Sequence, residues 1–162
     1  MFKGRITADL PKAQFYAALE EQLRALLAEE PDPIANLANC AALIFHSLPE
    51  LNWAGFYLLR GDTLVLGPFQ GRPACVRIPL GRGVCGQAAQ QRAVLRVADV
   101  NQFGDHIACD TASRSEIVVP LTSPDQQFLL GVLDVDSPQL NRFDEDDEAG
   151  LKEIASVIAA KL

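Results

Sequence analysis

The stretch Glu116-Ile117-Val118-Val119-Pro120-Leu121-Thr122-Ser123-Pro124-Asp125-Gln126-Gln127-Phe128-Leu129-Leu130-Gly131-Val132-Leu133-Asp134-Val135-Asp136 decides the fold class. Its β-branched and apolar residues fall into two runs, 116–121 and 127–136, separated by a Ser-Pro-Asp turn, which predicts two strands joined locally. In the second run Asp134 and Asp136 alternate with Leu133 and Val135, so one face is apolar and the other carries acids. Working towards the N-terminus, 52–59 and 63–66 predict a hairpin across Gly61-Asp62, and 74–80 and 94–100 predict further strands. Helical spacing brackets them. Phe15, Leu19, Leu23, Leu26 and Leu27 mark a helix over 11–29, and Leu37, Ala41, Ile44 and Phe45 mark another over 34–48. A short helix is expected from Gly83, and Leu151, Ile154, Ala155, Ile158 and Leu162 form the stripe of a last helix. Strands that follow one another through turns favour an antiparallel sheet with helices gathered on one face, the α+β class.

The 162 residues suit one domain, taken as 1–162, and allow a substantial core. The formal charge of −7 argues against a nucleic-acid partner, which needs clustered Lys and Arg. Most of that charge is local, in Asp144-Glu145-Asp146-Asp147-Glu148. Acids at a helix start complement the unpaired N–H groups and the dipole, so the run reads as capping, with Asp144 the N-cap. It lacks the glycine and the alternate spacing of a calcium loop. Residues 1–30 show no apolar leader, and no apolar run approaches a membrane span, so a cytoplasmic protein without a membrane partner is expected.

Two segments rich in glycine and small polar residues, 79–91 and 98–115, interrupt the strands. Long irregular segments inside a compact domain are usually functional. Gly81-Arg82-Gly83-Val84-Cys85-Gly86 fits the Gly-x-Gly-x-x-Gly spacing, but no strand–helix alternation follows it, which argues against a dinucleotide site. Its glycines instead suit a backbone wrapped closely around something small. Of the four cysteines, Cys40 lies on an apolar helix stripe and reads as core. Cys75 opens a predicted strand, Cys85 lies in the glycine-rich segment, and Cys109 lies in the long loop beside His106 and Asp110. Their separations do not form Cys-x-x-Cys pairs, although a site built from Cys75, Cys85, His106 and Cys109 would suit zinc. Three thiols also permit redox chemistry: one accepts oxygen as a sulfenic acid and a second condenses with it to a disulfide. No resident metal or cofactor is required for that.

Glu116 begins an otherwise apolar strand, and Asp134 and Asp136 share a strand face. Such acids either face solvent or crowd a pocket, where they would suit a cationic group and raise one another's pKa. Trp53 and Tyr57, four apart on one strand face, either wall such a pocket or pack in the core.

Asn52-Trp53-Ala54-Gly55-Phe56-Tyr57, Gly67-Pro68-Phe69-Gln70-Gly71, Pro73-Ala74-Cys75-Val76-Arg77-Ile78-Pro79, Gly83-Val84-Cys85-Gly86, His106-Ile107-Ala108-Cys109-Asp110, Ser115-Glu116-Ile117-Val118-Val119-Pro120-Leu121 and Gly131-Val132-Leu133-Asp134-Val135-Asp136-Ser137-Pro138 stand in a telling order. In these strings the chain resembles the free methionine-(R)-sulfoxide reductases, single GAF-domain enzymes. The resemblance implies a GAF-like antiparallel sheet, with N-terminal helices and a C-terminal helix packed on it and a ligand pocket closed by loops. It implies reduction of free L-methionine-(R)-sulfoxide and recycling by thioredoxin or a similar dithiol reductant. Cys109 would be the nucleophile, Cys75 the resolving thiol, and Cys85 a further partner in disulfide exchange. Glu116, Asp134 and Asp136 would hold the substrate ammonium, with Glu116 and Asp136 assisting protonation, and Trp53 and Tyr57 would enclose the S-methyl end. A homodimer is common among such domains. Gly104-Asp105 and Arg114 depart from the family pattern. The alternative is a GAF module that binds a small ligand without turnover, for which three such thiols would have no use.

Overall fold

A computed structural model describes Ile6, residues 10–104 and residues 111–162. Its centre is an antiparallel sheet of β1 (Trp53–Arg60), β2 (Thr63–Gly71), β3 (Arg77–Pro79), β4 (Leu95–Val97), β5 (Ser115–Thr122) and β6 (Leu129–Ser137), in the order β3-β2-β1-β6-β5-β4. The two predicted hairpins are therefore the β1–β2 and β5–β6 pairs, and β1 joins them by pairing with β6. The expected strand over 74–80 shrinks to β3, which leaves Cys75 in the irregular link after β2. Similarly, 94–100 supplies only β4 before a single 3₁₀ turn at Val100–Gln102.

Three helices cover one face: α1 (Lys12–Leu27), α2 (Pro33–Ser47) and α4 (Glu145–Ala159). They meet the sheet through Ala54 and Phe56 of β1, Ile117, Val119 and Leu121 of β5, and Leu133 and Val135 of β6. Each such large side chain, fully withdrawn from water, contributes roughly 1.5–3 kcal/mol. Cys40 belongs to this core, as its place on the α2 stripe predicts. One expectation needs correction. The helices are not all on one face, because α3 (Gly83–Gln91) packs on the other, against Trp53, Tyr57, Val118 and Val132. Cys85, Ala88 and Ala89 give α3 an apolar stripe of small residues, which lets it lie close over the sheet.

The acidic run performs the helix-start chemistry that its position predicts. Asp144 caps α4 by accepting from the N–H groups of Asp146 and Asp147, and Asp147 returns a bond from the Asp144 N–H. Lys12 Nζ reaches Asp144 at 2.6 Å, and this contact holds the Asp144 carboxyl down at about 2. Asp147 is buried, and it accepts from Lys12 at 2.7 Å, from the Tyr16 hydroxyl at 2.8 Å and from Arg142 at 3.1 Å. The same Tyr16 ring lies where a Cβ on Gly150 would stand, 2.1 Å from its Cγ. Thus α1 and α4 are joined by one buried carboxylate and one missing side chain.

Removing a buried carboxylate strands its cationic partners, which costs ~3–5 kcal/mol where no water replaces it. Asp147→Ala is expected to lose about 3 kcal/mol in urea unfolding followed by circular dichroism. Asp146→Ala, on the same turn, should lose under about 0.5 kcal/mol.

Candidate functional site

The site follows from strand register. Trp53 of β1 stands opposite Asp136 of β6, which stands opposite Glu116 of β5. One row along, Gly55 faces Asp134, and Asp134 faces Val118. Tyr57 and Val132 form the next row. Side chains two residues apart share a face, so Trp53, Tyr57, Glu116, Asp134 and Asp136 all project away from the three-helix core. This is the face that α3 covers.

The glycine-rich turn before α3 places the last member. The Gly81 N–H donates to the Gly86 carbonyl at 2.8 Å, and a Cβ on Gly86 would stand 2.4 Å from the Pro79 carbonyl oxygen. The close approach expected of these glycines is thus made first to the chain itself. It holds Cys85 in the first turn of α3, where its thiol donates to Glu116 Oε1 at 3.9 Å. Ligand atoms of Cys85, Glu116 and Asp134 all lie within 4.8 Å of one another, and the three residues are buried.

Charge is expensive in such a place. Burial, followed by the nearby Asp134 and Asp136 carboxylates, pushes the Glu116 carboxyl well above its usual range. Burial also raises Asp134 to about 6, against the hydrogen bonds from Cys85 and Glu116 that favour its charged form. The Cys85 thiol is pushed well up, by burial and then by Asp134 and Glu116. The group therefore keeps protons that its members would shed in water. Asp134 Oδ1 is buried with no hydrogen-bond partner, an acceptor whose desolvation is uncompensated. Asp136, half-buried, stands in the neighbouring row between Trp53 and Glu116.

Aromatic rings form a wall beside the acids. The Trp53 ring stacks on Tyr57 at 6.0 Å and on Phe69 of β2 at 5.3 Å. Gly55 makes this possible, since a Cβ there would lie 2.7 Å from the Trp53 ring and 2.3 Å from the Phe69 Cβ. The polar ends of the wall hold the link after β2: Trp53 Nε1 donates to the Arg72 carbonyl at 3.1 Å, and the Tyr57 hydroxyl donates to the Cys75 carbonyl at 2.9 Å. Cys75 is thereby pinned beside the acid cluster. Its sulfur is disulfide-bonded, whereas Cys40 and Cys85 are free thiols.

The fold thus gathers Trp53, Tyr57, Cys85, Glu116 and Asp134, with Asp136 in the same rows and Cys75 tethered through Tyr57. His106, Cys109 and Asp110 lie outside the described residues. A zinc site drawing on Cys75 is not formed in this state, because the disulfide consumes that thiolate. Phe69 and Gly55 were not singled out individually from the sequence. Their signal is the pairing of a glycine with an aromatic across β1 and β2, visible only once the register is known.

A GAF domain model matches residues 19–162. The chain is 54% identical over 145 residues to the free methionine-R-sulfoxide reductase of Escherichia coli strain K12, covering 90% of this chain and 87% of that protein. The chain belongs to the free methionine-(R)-sulfoxide reductase family. The Saccharomyces cerevisiae enzyme of the same name is 45% identical over 132 residues, with 77% of this chain and 73% of that protein covered. The structure of the free methionine-R-sulfoxide reductase of Neisseria meningitidis in complex with its substrate superposes with a TM-score of 0.92 at 45% identity, over 99% of this chain and 95% of that one. The GAF match and this superposition confirm the GAF-like α+β expectation, with α3 the one helix across the sheet among the described residues. Among the described residues, no helix is long and apolar enough to cross a membrane.

The acid cluster should tax stability in a pH-dependent way. A carboxyl whose folded pKa is raised holds extra protons in the folded state, so stability falls as pH rises from about 4 through about 6. Asp134→Asn removes that penalty and should raise the Tm of the ligand-free protein at pH 8 by about 3–6 °C. Near pH 4 the difference should vanish in the same calorimetric scans.

Proposed function

We propose that this chain, acting as one domain over residues 1–162, reduces free L-methionine-(R)-sulfoxide to methionine. The observation that carries the reading is the buried group of Glu116, Asp134 and Cys85, set against the Trp53–Tyr57 wall and beside a disulfide-bonded Cys75. A free amino acid brings an ammonium, and an ammonium is the charge this cluster lacks. In a partly dry site such a pair attracts far more strongly than in water. Asp136, in the row with Glu116 and Trp53, adds to the same field. Trp53 and Tyr57 offer an apolar, polarisable surface for the S-methyl end. A methionine sulfoxide embedded in a polypeptide has no free ammonium there and meets buried acids with nothing to neutralise them.

The chemistry needs a proton at oxygen, because oxygen does not leave sulfur as an oxide. Glu116, kept protonated by burial and by its acidic neighbours, is suited to supply it, with Asp136 assisting. Cys109 attacks the sulfoxide sulfur. The S–O bond breaks, the oxygen passes to the cysteine sulfur, and methionine leaves a Cys109 sulfenic acid behind. The Cys75 thiol then displaces the sulfenic oxygen as water and forms a Cys75–Cys109 disulfide. A dithiol of the thioredoxin type, acting in a reducing cytoplasm, returns both thiols. The disulfide at Cys75 and the free thiols at Cys40 and Cys85 agree with the oxidised end of this cycle. Cys85 is a poor nucleophile where it lies buried beside these acids, since thiolates carry the exchange. A substrate cation beside the acids would relieve their share of this shift, which favours Cys85 as a further exchange partner.

Methionine formation from the free R-sulfoxide, the free S-sulfoxide and a peptide-bound R-sulfoxide, with dithiothreitol as reductant, tests the reading. Only the free R-sulfoxide should turn over, and equal rates on the peptide would refute it. Cys109→Ser should lower kcat/KM by at least about a thousandfold. Cys75→Ser should retain a single-turnover burst of about one methionine per chain, followed by slow regeneration. Glu116→Gln should lower kcat by roughly tenfold or more with a smaller change in KM, because the amide stays neutral but cannot donate the acid proton.

A further inference from the structure

The group that receives an ammonium in the proposed function has a second chemical identity. Ammonium recognition needs acids but has no use for a thiol among them. Cys85 is nevertheless buried between Glu116 and Asp134, with ligand atoms of all three within 4.8 Å and the thiol 3.9 Å from Glu116 Oε1. One thiolate and two carboxylates form a donor set for a borderline divalent cation. Zinc takes sulfur at about 2.3 Å and carboxylate oxygen at about 2.0–2.2 Å, which separates tetrahedral ligands by roughly 3.3–3.8 Å. Side-chain adjustments of about an ångström bring the three atoms to those separations. A water completes the set.

A second observation points to a missing cation. Asp134 is 7% exposed, and its Oδ1 has no hydrogen-bond partner, so this acceptor is desolvated and unpaired. Native proteins rarely leave such an atom without a role. The half-buried Asp136 lies across from Glu116 and deepens the negative potential.

We propose that Cys85, Glu116 and Asp134 bind one thiophilic divalent cation, zinc or cobalt, in place of the substrate ammonium, so that the cation is a reversible inhibitor and not a cofactor. Binding is acid–base and coordinative, without a redox step. Cys85 surrenders its S–H proton and Glu116 its carboxyl proton, both pass to solvent, and metal–sulfur and metal–oxygen bonds form. The thiol sets the selectivity, since magnesium and calcium prefer sites made of oxygen alone. The raised affinity of Cys85 and Glu116 for protons works against the cation, so binding tightens with pH. Among the described residues, the other titratable groups set against Cys85 are Asp136, whose charge also favours its proton, and Tyr57, which stays a neutral phenol. Competition with substrate rests on the function proposed above; cation binding does not.

The test uses the full chain with its disulfide intact, which leaves Cys40 and Cys85 as the thiols among the described residues. Titration with cobalt chloride should give one cation per chain and a thiolate-to-cobalt charge-transfer band in the near ultraviolet. Zinc chloride should abolish the band by displacement, and magnesium chloride should not. Cys85→Ser should remove the band and weaken zinc binding at least tenfold by calorimetry. Glu116→Gln should weaken binding by a similar factor while the band persists. Cys40→Ala, on the opposite face of the sheet, should change neither. A band that survives Cys85→Ser, or no band in the parent chain, overturns the site, and so does magnesium binding as tight as zinc. Excess free methionine-(R)-sulfoxide should bleach the band. If it does not, the competition fails and with it the placement of the substrate, while the cation site stands on the variant data.

Discussion

Everything at the site depends on β6 lying between β1 and β5 with a strict two-residue alternation. Leu133 and Val135 drive into the three-helix core, and that commitment turns Asp134 and Asp136 to the other face. A slip of one residue would bury both aspartates among the helices and expose the leucine and valine. The core therefore fixes the acids in place, and its apolar burial offsets the cost of holding them out of water. The same register brings Glu116 and Trp53 into the Asp136 row and sets a glycine opposite Asp134. No single contact has to be strong, because the geometry is imposed by the strands around it.

Above that floor, two aromatic residues have both a face and an end in use. Their rings stack into the wall, and their polar tips hold the backbone carbonyls of Arg72 and Cys75. This economy explains why a link with little regular structure can present a disulfide sulfur at a defined place. On the proposed function, it also ties the substrate's surroundings to the redox state of Cys75. A change in the position of Cys75 is felt at the Tyr57 hydroxyl, and the Tyr57 ring is part of the wall.

Much of this was legible in the sequence, and the limits are physical. Period-two alternation around Asp134 and helical spacing around Leu23 and Ile154 give the elements directly. The capping of α4 follows from acids at a helix start, although Tyr16 and Lys12 as partners of Asp147 do not, because they come from 131 and 135 residues away. The side taken by α3 was missed. A nine-residue helix of small residues carries too weak a stripe to choose a face, and packing against Tyr57 and Val118 makes the choice. Cys85 shows the same limit. Its neighbours in sequence are glycines, and only the tertiary fold makes it the companion of two acids. The resemblance named these residues, while the register explains why those positions could meet.

The closeness of Cys85, Glu116 and Asp134 poses an electrostatic problem that has three solutions, and the chemistry of the site is the competition among them. Protons are the default, and burial favours them by pushing the Glu116 carboxyl well up and Asp134 to about 6. An organic ammonium replaces a proton without touching sulfur, and it leaves Glu116 free to share its remaining proton with an oxygen atom nearby. A thiophilic cation replaces two protons at once and takes the sulfur as well, which leaves no acid to donate. On the proposed function, the site is catalytically useful only under the middle solution. The substrate must bring enough positive charge to seat itself among the acids, and too little to strip them. A single ammonium on a small molecule meets both conditions.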